Sequence, residues 1–310
     1  MKTIYGFLFP YSFFLILFAC CVQVQARTFP LPAEGDVVGQ LEVAVVKSGD
    51  SFAQIARDHD LGYTELQEAN PEVDPDHIPT GTVLVIPNQF ILPNAPRKGV
   101  VINLAEMRLY FYPGAGSVIT HPLGIGREGE DTPVGVMKVI EHIPNPTWTA
   151  TQTMRKLRAQ EGIILPKSVP PGPDNPLGKF AMRLSSPTYL IHGTNDPLGG
   201  IGRRSSSGCM RLYPEDIETL YHQVKNGTPV YMVNQPYKVG WSENQLYIES
   251  HAALDESIEQ GKSDVDAIKA VISQRVSNKQ AQVDWDKAVV IAGETQGWPQ
   301  LIGGLPRNTD

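Results

Sequence analysis

Cys209 lies in the run Ser205-Ser206-Ser207-Gly208-Cys209-Met210-Arg211-Leu212, seventeen residues after His192. A thiol with a reference pKa of about 8.5 is mostly protonated at neutral pH, so a nucleophilic cysteine needs a neighbour to take its proton. His192 ends the apolar run Tyr189-Leu190-Ile191, which places an imidazole at a strand end as the candidate base. Gly208 carries no side chain to obstruct the sulfur, and the N–H groups of Gly208 and Cys209 are candidate donors to a developing oxyanion. An imidazole-activated thiol predicts thiolate well below pH ~8.5. Arg203, Arg204 and Arg211 stand close in sequence to the sulfur, and guanidinium groups suit carboxylates through bidentate pairing. The other six histidines form no H-E-x-x-H and meet no cysteine pair, so no metal site is expected. Gly124-Ile125-Gly126 opens no helical pattern and reads as a loop rather than a phosphate cradle.

The thiol's isolation follows from the N-terminus. Lys2, the apolar run Phe7 to Ala19 and the small-residue end at Ala26 have the form of a secretory signal peptide over residues 1–26. Cleavage there removes Cys20 and Cys21 and leaves Cys209 as the single cysteine, with no intrachain disulfide. The competing reading is a retained membrane anchor over Ile4 to Val24, against which Pro10 and the small-residue end at Ala26 weigh. Leu17-Phe18-Ala19-Cys20 also resembles a lipoprotein cleavage box, so a lipid anchor on Cys20 is a lesser alternative to a cleaved periplasmic protein. Over all 310 residues the chain is 41% hydrophobic and 19% charged, the composition of a folded globular protein. Its net charge of -7 excludes a general basic footprint for nucleic acid.

Three further regions must position this chemistry. Residues 43–87 hold two cations against eight carboxylates, and read as strand (Val43 to Val46), helix with Phe52, Ile55 and Ala56 on one face, second helix (Tyr63 to Ala69) and strand (Val83 to Ile86). So small a module is expected to bind rather than catalyse. Residues 88–97 are a proline-punctuated extended linker. Residues 98–234 read as mostly β, with strands at Val100 to Leu104, Met107 to Tyr112, Thr120 to Gly124, Gly135 to Ile140, Tyr189 to His192 and Pro229 to Val233. One helix, Pro214 to Val224, opens on Pro with Glu215 and Asp216 in its first turn. Ile143 to Met182 contains seven prolines and no regular strands; Trp148, Met154 and Leu157 give it something to bury, as a lid. Residues 235–310 form a C-terminal extension, a hairpin over Tyr237 to Glu249 and then an amphipathic helix over His251 to Val276 with Leu254, Ile258, Val265, Ile268 and Ile272 on one face.

Two resemblances gather these observations. The runs V-K-S-G-D-S-F-A-Q-I-A, L-Q-E-A-N-P and G-T-V-L-V-I-P resemble a LysM domain, a βααβ module that binds N-acetylglucosamine-containing glycans; Val46 and Phe52 depart from the usual pattern. The order H-G-T-N, a loop, then S-S-G-C-M-R resembles the L,D-transpeptidases with a YkuD-type catalytic domain, over residues 98–234. Many members have His before the Gly-Cys pair and Asn two after the cysteine, where this chain has Ser207 and Arg211. The resemblance implies that Cys209 attacks the diaminopimelate–D-alanine bond of a peptidoglycan tetrapeptide stem, with His192 as base and acid and the Gly193 carbonyl holding the imidazole tautomer. Ser207, Gly208, Arg211, Trp148 and Asn195 would bind substrate. The acyl group would pass to an amine, in a second stem or on an outer-membrane lipoprotein, without a cofactor; the alternatives are an L,D-carboxypeptidase and a non-catalytic wall-binding protein. The implied partners are stem peptides and glycan strands, and the implied acylating inhibitors are carbapenems.

Overall fold

The computed structural model describes residues 26–186, 188–254 and 264–306; the expected signal peptide falls outside them, except its last residue. The protein is mostly β, as its alternating apolar pattern requires. A nine-stranded sheet runs in the order Arg27–Pro30, Ser117–Pro122, Arg108–Gly114, Gly99–Asn103, Pro229–Val233, Gly135–Pro144, Phe180–Leu184, Leu190–His192, Met210–Arg211. Most neighbours are antiparallel, but Pro229–Val233 pairs parallel to Gly99–Asn103, and Leu190–His192 parallel to Met210–Arg211. Helix Pro214–Gln223 packs Ile217 and Leu220 into the core beneath the sheet, beside Ile191, Met210 and Leu212.

The acidic module is βααβ. Strands Glu42–Val45 and Val83–Ile86 pair antiparallel, and helices Phe52–Asp58 and Tyr63–Glu68 lie between them. The Ser51 hydroxyl accepts from the Gln54 N–H (3.3 Å) and caps the first helix. Val46 and Phe52, the departures from the family pattern, are buried in its small core with Ile55, Leu61 and Leu84.

The linker is extended, as the prolines predict, but it is no tether. Gln89–Ile91 pairs antiparallel with Val37–Gly39, and Phe90, Ile91 and Leu92 are buried, Phe90 against Tyr110. The C-terminal region is richer in strand than expected. Tyr237–Ser242, Gln245–Ser250, Gln300–Gly304 and Gln282–Val283 make a four-stranded sheet, covered by helices Asp264–Val276 and Trp285–Glu294 around a separate core of Trp241, Leu246, Ile248, Ile268, Ile272 and Ile302. Ile268 and Ile272 face inward as their spacing predicts, on the helix Asp264–Val276, but residues 251–254 are not helical and Val265 is exposed. His251 is drawn instead into a buried charge cluster and Leu254 into the core of the large sheet; Ile258 lies outside the described residues.

Buried charges join the three units. Arg108 on the large sheet donates from Nε and Nη2 to both carboxylate oxygens of Glu65 on the second helix (2.6 and 3.0 Å), to the Asp60 carbonyl (2.9 Å) and to the Thr120 hydroxyl (3.0 Å). At the far joint the Lys238 ammonium lies 2.9 Å from Glu106 and 2.6 Å from Glu249, while His251 bridges Glu249 (2.9 Å) and Glu68 (3.1 Å).

This cluster has a pH signature. Burial alone would push the His251 imidazole down, but the Glu249 and Glu68 carboxylates outweigh it and lift it to about 10 from 6.5. The folded chain therefore binds this proton more tightly than the unfolded chain. The contribution to stability is complete below about pH 6.5 and is lost as pH rises toward about 10. A pH series of melting temperatures should fall across that window in the wild type, and His251→Gln should flatten the slope; equal slopes would show that the imidazole carries no such proton.

Candidate active site

The site forms at the last edge of the large sheet. Phe180–Leu184 pairs antiparallel with Leu190–His192 in the register Ala181 to His192 and Arg183 to Leu190. Parallel bridges then join Ile191 to Met210 and His192 to Arg211. Ile191 and Met210 are wholly buried in the core, so by the two-residue period of a strand Leu190, His192, Cys209 and Arg211 belong to the opposite face. All four line one cavity of about 960 Å³.

His192 is 3% exposed, and its Nδ1 lies 2.6 Å from the carbonyl of Gly193. A carbonyl can only accept, so Nδ1 carries the hydrogen and Nε2 is left as the basic nitrogen. Burial and then the Arg211 cation push the imidazole down to about 3. A side chain on Gly193 would meet Ile217 Cγ2 at 3.1 Å.

Cys209 is half-buried, and its thiol donates to the Thr188 carbonyl at 3.7 Å. Burial pushes this thiol up; a hydrogen bond from the Leu190 backbone and the cations Arg211 and Arg183 oppose the shift without cancelling it. Burial thus acts against the expected thiolate well below pH ~8.5. Burial therefore pushes both groups toward their neutral forms, the thiol up and the imidazole down.

The turn that presents the sulfur is pinned from inside. Gly208 has φ +94°, and a Cβ there would sit 3.0 Å from Tyr189 Cε1, so only glycine fits. The buried Ser206 hydroxyl accepts from the Gly208 N–H (3.1 Å) and donates to the Cys209 carbonyl (2.6 Å). This corrects the reading of two oxyanion donors: the Gly208 N–H is already engaged, and the Cys209 N–H is the donor that remains.

The segment read as a lid lines one wall of the cavity, and it is not without regular structure. Trp148–Thr149 pairs with Ser168–Val169, and helix Gln152–Gln160 is capped by the Thr151 hydroxyl, which accepts from Met154 N–H (3.1 Å). Seven prolines hid this helix; Thr151 before a proline-free run is the signal that would have found it. Trp148 and Met154 line the cavity. Arg158 on this helix, buried and not singled out from sequence, pairs with Glu130, lies 2.8 Å from Glu161 and donates to the Ser207 hydroxyl (3.3 Å). Asn175 ties the lid's ends together, donating to the Pro146 carbonyl (2.7 Å) and accepting from the Leu177 N–H (2.9 Å).

The three arginines separate. Arg203 stacks on Tyr63 of the acidic module, with Cζ 3.5 Å from the ring centroid, and Arg204 pairs with Asp131 at 3.0 Å. Arg211 makes no ion pair among the described residues; Nη1 reaches Ser205 Oγ at 3.4 Å, and its buried Nε has no partner. Asn195 is exposed, donates to the Asp174 carbonyl (3.1 Å) and is not among the residues lining the cavity. Glu106, Glu249 and His251 also converge, buried, but the Lys238 ammonium already supplies the cation between the two carboxylates.

The catalytic-domain model of the L,D-transpeptidases (YkuD) matches residues 97–232, and the LysM domain model matches residues 44–87. The chain is 44% identical over 267 residues to the probable L,D-transpeptidase YcfS of Escherichia coli K12, covering 84% of this chain and 83% of that protein. It is 39% identical over 289 residues to the probable L,D-transpeptidase YbiS of the same strain, covering 91% and 93%. The probable L,D-transpeptidase ErfK/SrfK of that strain is 37% identical over 301 residues, covering 95% and 96%.

The neutral pair has a direct readout. The rate of Cys209 alkylation by iodoacetamide should rise with pH along a single limb centred above the ordinary thiol value of about 8.5, with no plateau of reactive thiolate between about pH 5 and 7. Such a plateau, abolished by His192→Ala, would establish the thiolate–imidazolium pair that burial disfavours.

Proposed function

The chain belongs to the L,D-transpeptidase family, and from its site we propose that Cys209 is the nucleophile, His192 the general base and acid, and Arg211 the anchor for a substrate carboxylate. The observation that carries this reading is the His192 Nδ1 to Gly193 carbonyl bond at 2.6 Å, which leaves Nε2 basic in a cavity shared with Cys209 and the unpaired Arg211. His192 Nε2 takes the thiol proton as sulfur attacks the carbonyl of the stem's third residue, and the Cys209 N–H receives the oxyanion. Collapse breaks the bond to the terminal D-alanine, whose amine leaves with the proton held on His192. The thioester then passes to an incoming amine, which gives its proton to His192 as the new amide forms and the thiol is restored. A second stem as acceptor makes a cross-link, and a lipoprotein lysine makes an attachment.

The lid supports transfer over hydrolysis, because Trp148 and Met154 cover the sulfur's cavity with apolar surface. Arg211 is desolvated without a carboxylate partner, a state that is costly unless an anion arrives, and stem peptides are rich in carboxylates. The LysM module supports binding of the glycan strand to which the stems are attached. No helix among the described residues is long and apolar enough to cross a membrane. The apolar N-terminal run and its small-residue end support export to the periplasm.

Purified protein incubated with tetrapeptide muropeptides should release D-alanine and form an acyl adduct that mass spectrometry places on Cys209. His192→Ala should lower kcat by about 10²- to 10⁴-fold. Arg211→Met should act mainly through KM, and Cys209→Ala should release nothing. Release of D-alanine by Cys209→Ala would remove the assignment, and a tripeptide with no cross-linked product would make the enzyme a carboxypeptidase.

A further inference from the structure

Seventy-six residues before Gly208, Thr132 touches the catalytic turn. Its hydroxyl donates to the Gly208 carbonyl (3.0 Å) and accepts from the Gly126 N–H (3.0 Å), and the residue is 7% exposed. The loop that carries it is packed hard against the turn. A Cβ on Gly126 would lie 2.1 Å from the Glu130 carbonyl and 3.0 Å from Gly208 Cα, so only glycine admits this approach. Arg127 N–H donates to the Ser206 carbonyl (3.0 Å), and Asp131 pairs with Arg204 (3.0 Å), so the loop grips the approach to the sulfur at Arg204, Ser206 and Gly208.

The Gly208 carbonyl and the Cys209 N–H belong to one planar peptide unit and point in opposite directions, so whatever fixes the carbonyl aims the N–H. Ser206 holds the Gly208 N–H and the Cys209 carbonyl, the groups to either side of that unit. Thr132 holds the unit itself. We propose that Thr132 is a positioning residue for the oxyanion: by bonding the Gly208 carbonyl it aims the Cys209 N–H at the tetrahedral intermediate. This rests on Cys209 being the nucleophile. Removing one oxyanion donor outright costs about 10²- to 10³-fold, and misaiming the donor should cost part of that.

Two reactions of the same sulfur separate aim from mere structure. Acylation by a carbapenem such as imipenem passes through an oxyanion, whereas alkylation by iodoacetamide displaces iodide at a saturated carbon and forms none. In Thr132→Val, which keeps the bulk and loses the hydroxyl, the acylation rate constant should fall by about 10- to 100-fold while alkylation stays within about twofold of wild type. Thr132→Ser, which keeps the hydroxyl, should acylate within about threefold of wild type. Acylation by Thr132→Val at the wild-type rate, or a parallel fall in both reactions, would overturn the inference. So would a Thr132→Ser that acylates as slowly as Thr132→Val. Should Thr132→Val fail to fold, Thr132→Ala removes the same hydroxyl with less bulk, and the Thr132→Ser result stands by itself as a test. A wild type that forms no adduct on Cys209 would remove the nucleophile and this inference with it, an outcome distinct from a normal wild type beside a normal Thr132→Val.

Discussion

The two parallel bridges that join Ile191 to Met210 and His192 to Arg211 decide where the site must lie. Side chains on a strand alternate, so burying Ile191 and Met210 commits His192 and Arg211 to the opposite face, and a slip of one residue would exchange the two sets. A parallel pair also needs a crossover, and residues 193–209 supply it. That crossover is where the LysM module docks. Tyr63 N–H and Thr64 N–H donate to the carbonyls of Ile201 (3.3 Å) and Gly202 (3.1 Å), and Arg203 lies on the Tyr63 ring. A Cβ on Gly62 would sit 2.6 Å from Gly202 Cα, so the two backbones meet through glycines. The segment between His192 and Cys209 is thus anchored on the module at its middle.

The same economy of contacts governs the other joints, where charge replaces apolar area. Arg108 with Glu65, and Lys238 with Glu106 and Glu249, are almost wholly removed from water. Such pairs add little to net stability compared with apolar residues of the same volume, but losing one partner costs about 3–5 kcal/mol because the other charge stays buried and alone. A misdocked module would suffer that penalty at once. Arg108 makes the point most fully: its fork spans the module's Glu65 carboxylate, the Asp60 carbonyl and the sheet's own Thr120, so one side chain reports whether two units are in register.

What the sequence made legible was local. The βααβ order of the module, the six strands of the β-rich domain and the helix opening at Pro214 each follow from periodicity and end signals within about ten residues. Cys209 and His192 stood out in the sequence because a lone thiol and a strand-end imidazole restrict the chemistry, and the fold brings the two to one cavity. The misses share a cause, which is contact over long sequence distances. Thr132 reaches Gly208 through the fold, Arg158 reaches Ser207 from within a proline-rich segment, and His251 leaves a helical pattern because Glu68, 183 residues earlier, receives it. The Gly208 N–H was misread for a subtler reason: Ser206 is only two residues away, but its hydroxyl turns inward only because the turn is buried. Burial also bears on the electrostatics, since spacing says nothing about how far a thiol or an imidazole is removed from water.

On the proposed mechanism, the field around His192 divides the labour between the two halves of the reaction unequally. An imidazole held near 3 is a weak base, so taking the proton from a thiol that burial has pushed up is strongly uphill. The transfer must therefore run together with attack, where the forming carbon–sulfur bond and the oxyanion's hydrogen bond supply the driving force. Once protonated, the same imidazole is a strong acid. An amine leaving a tetrahedral centre is far more basic, so the second transfer is steeply downhill and the intermediate collapses forward. Burial and the nearby Arg211 cation produce both effects. A site built this way places its difficulty in forming the tetrahedral intermediate, the step that depends on how accurately the Cys209 N–H is aimed, and that explains why so many buried hydroxyl and backbone bonds are committed to so short a turn.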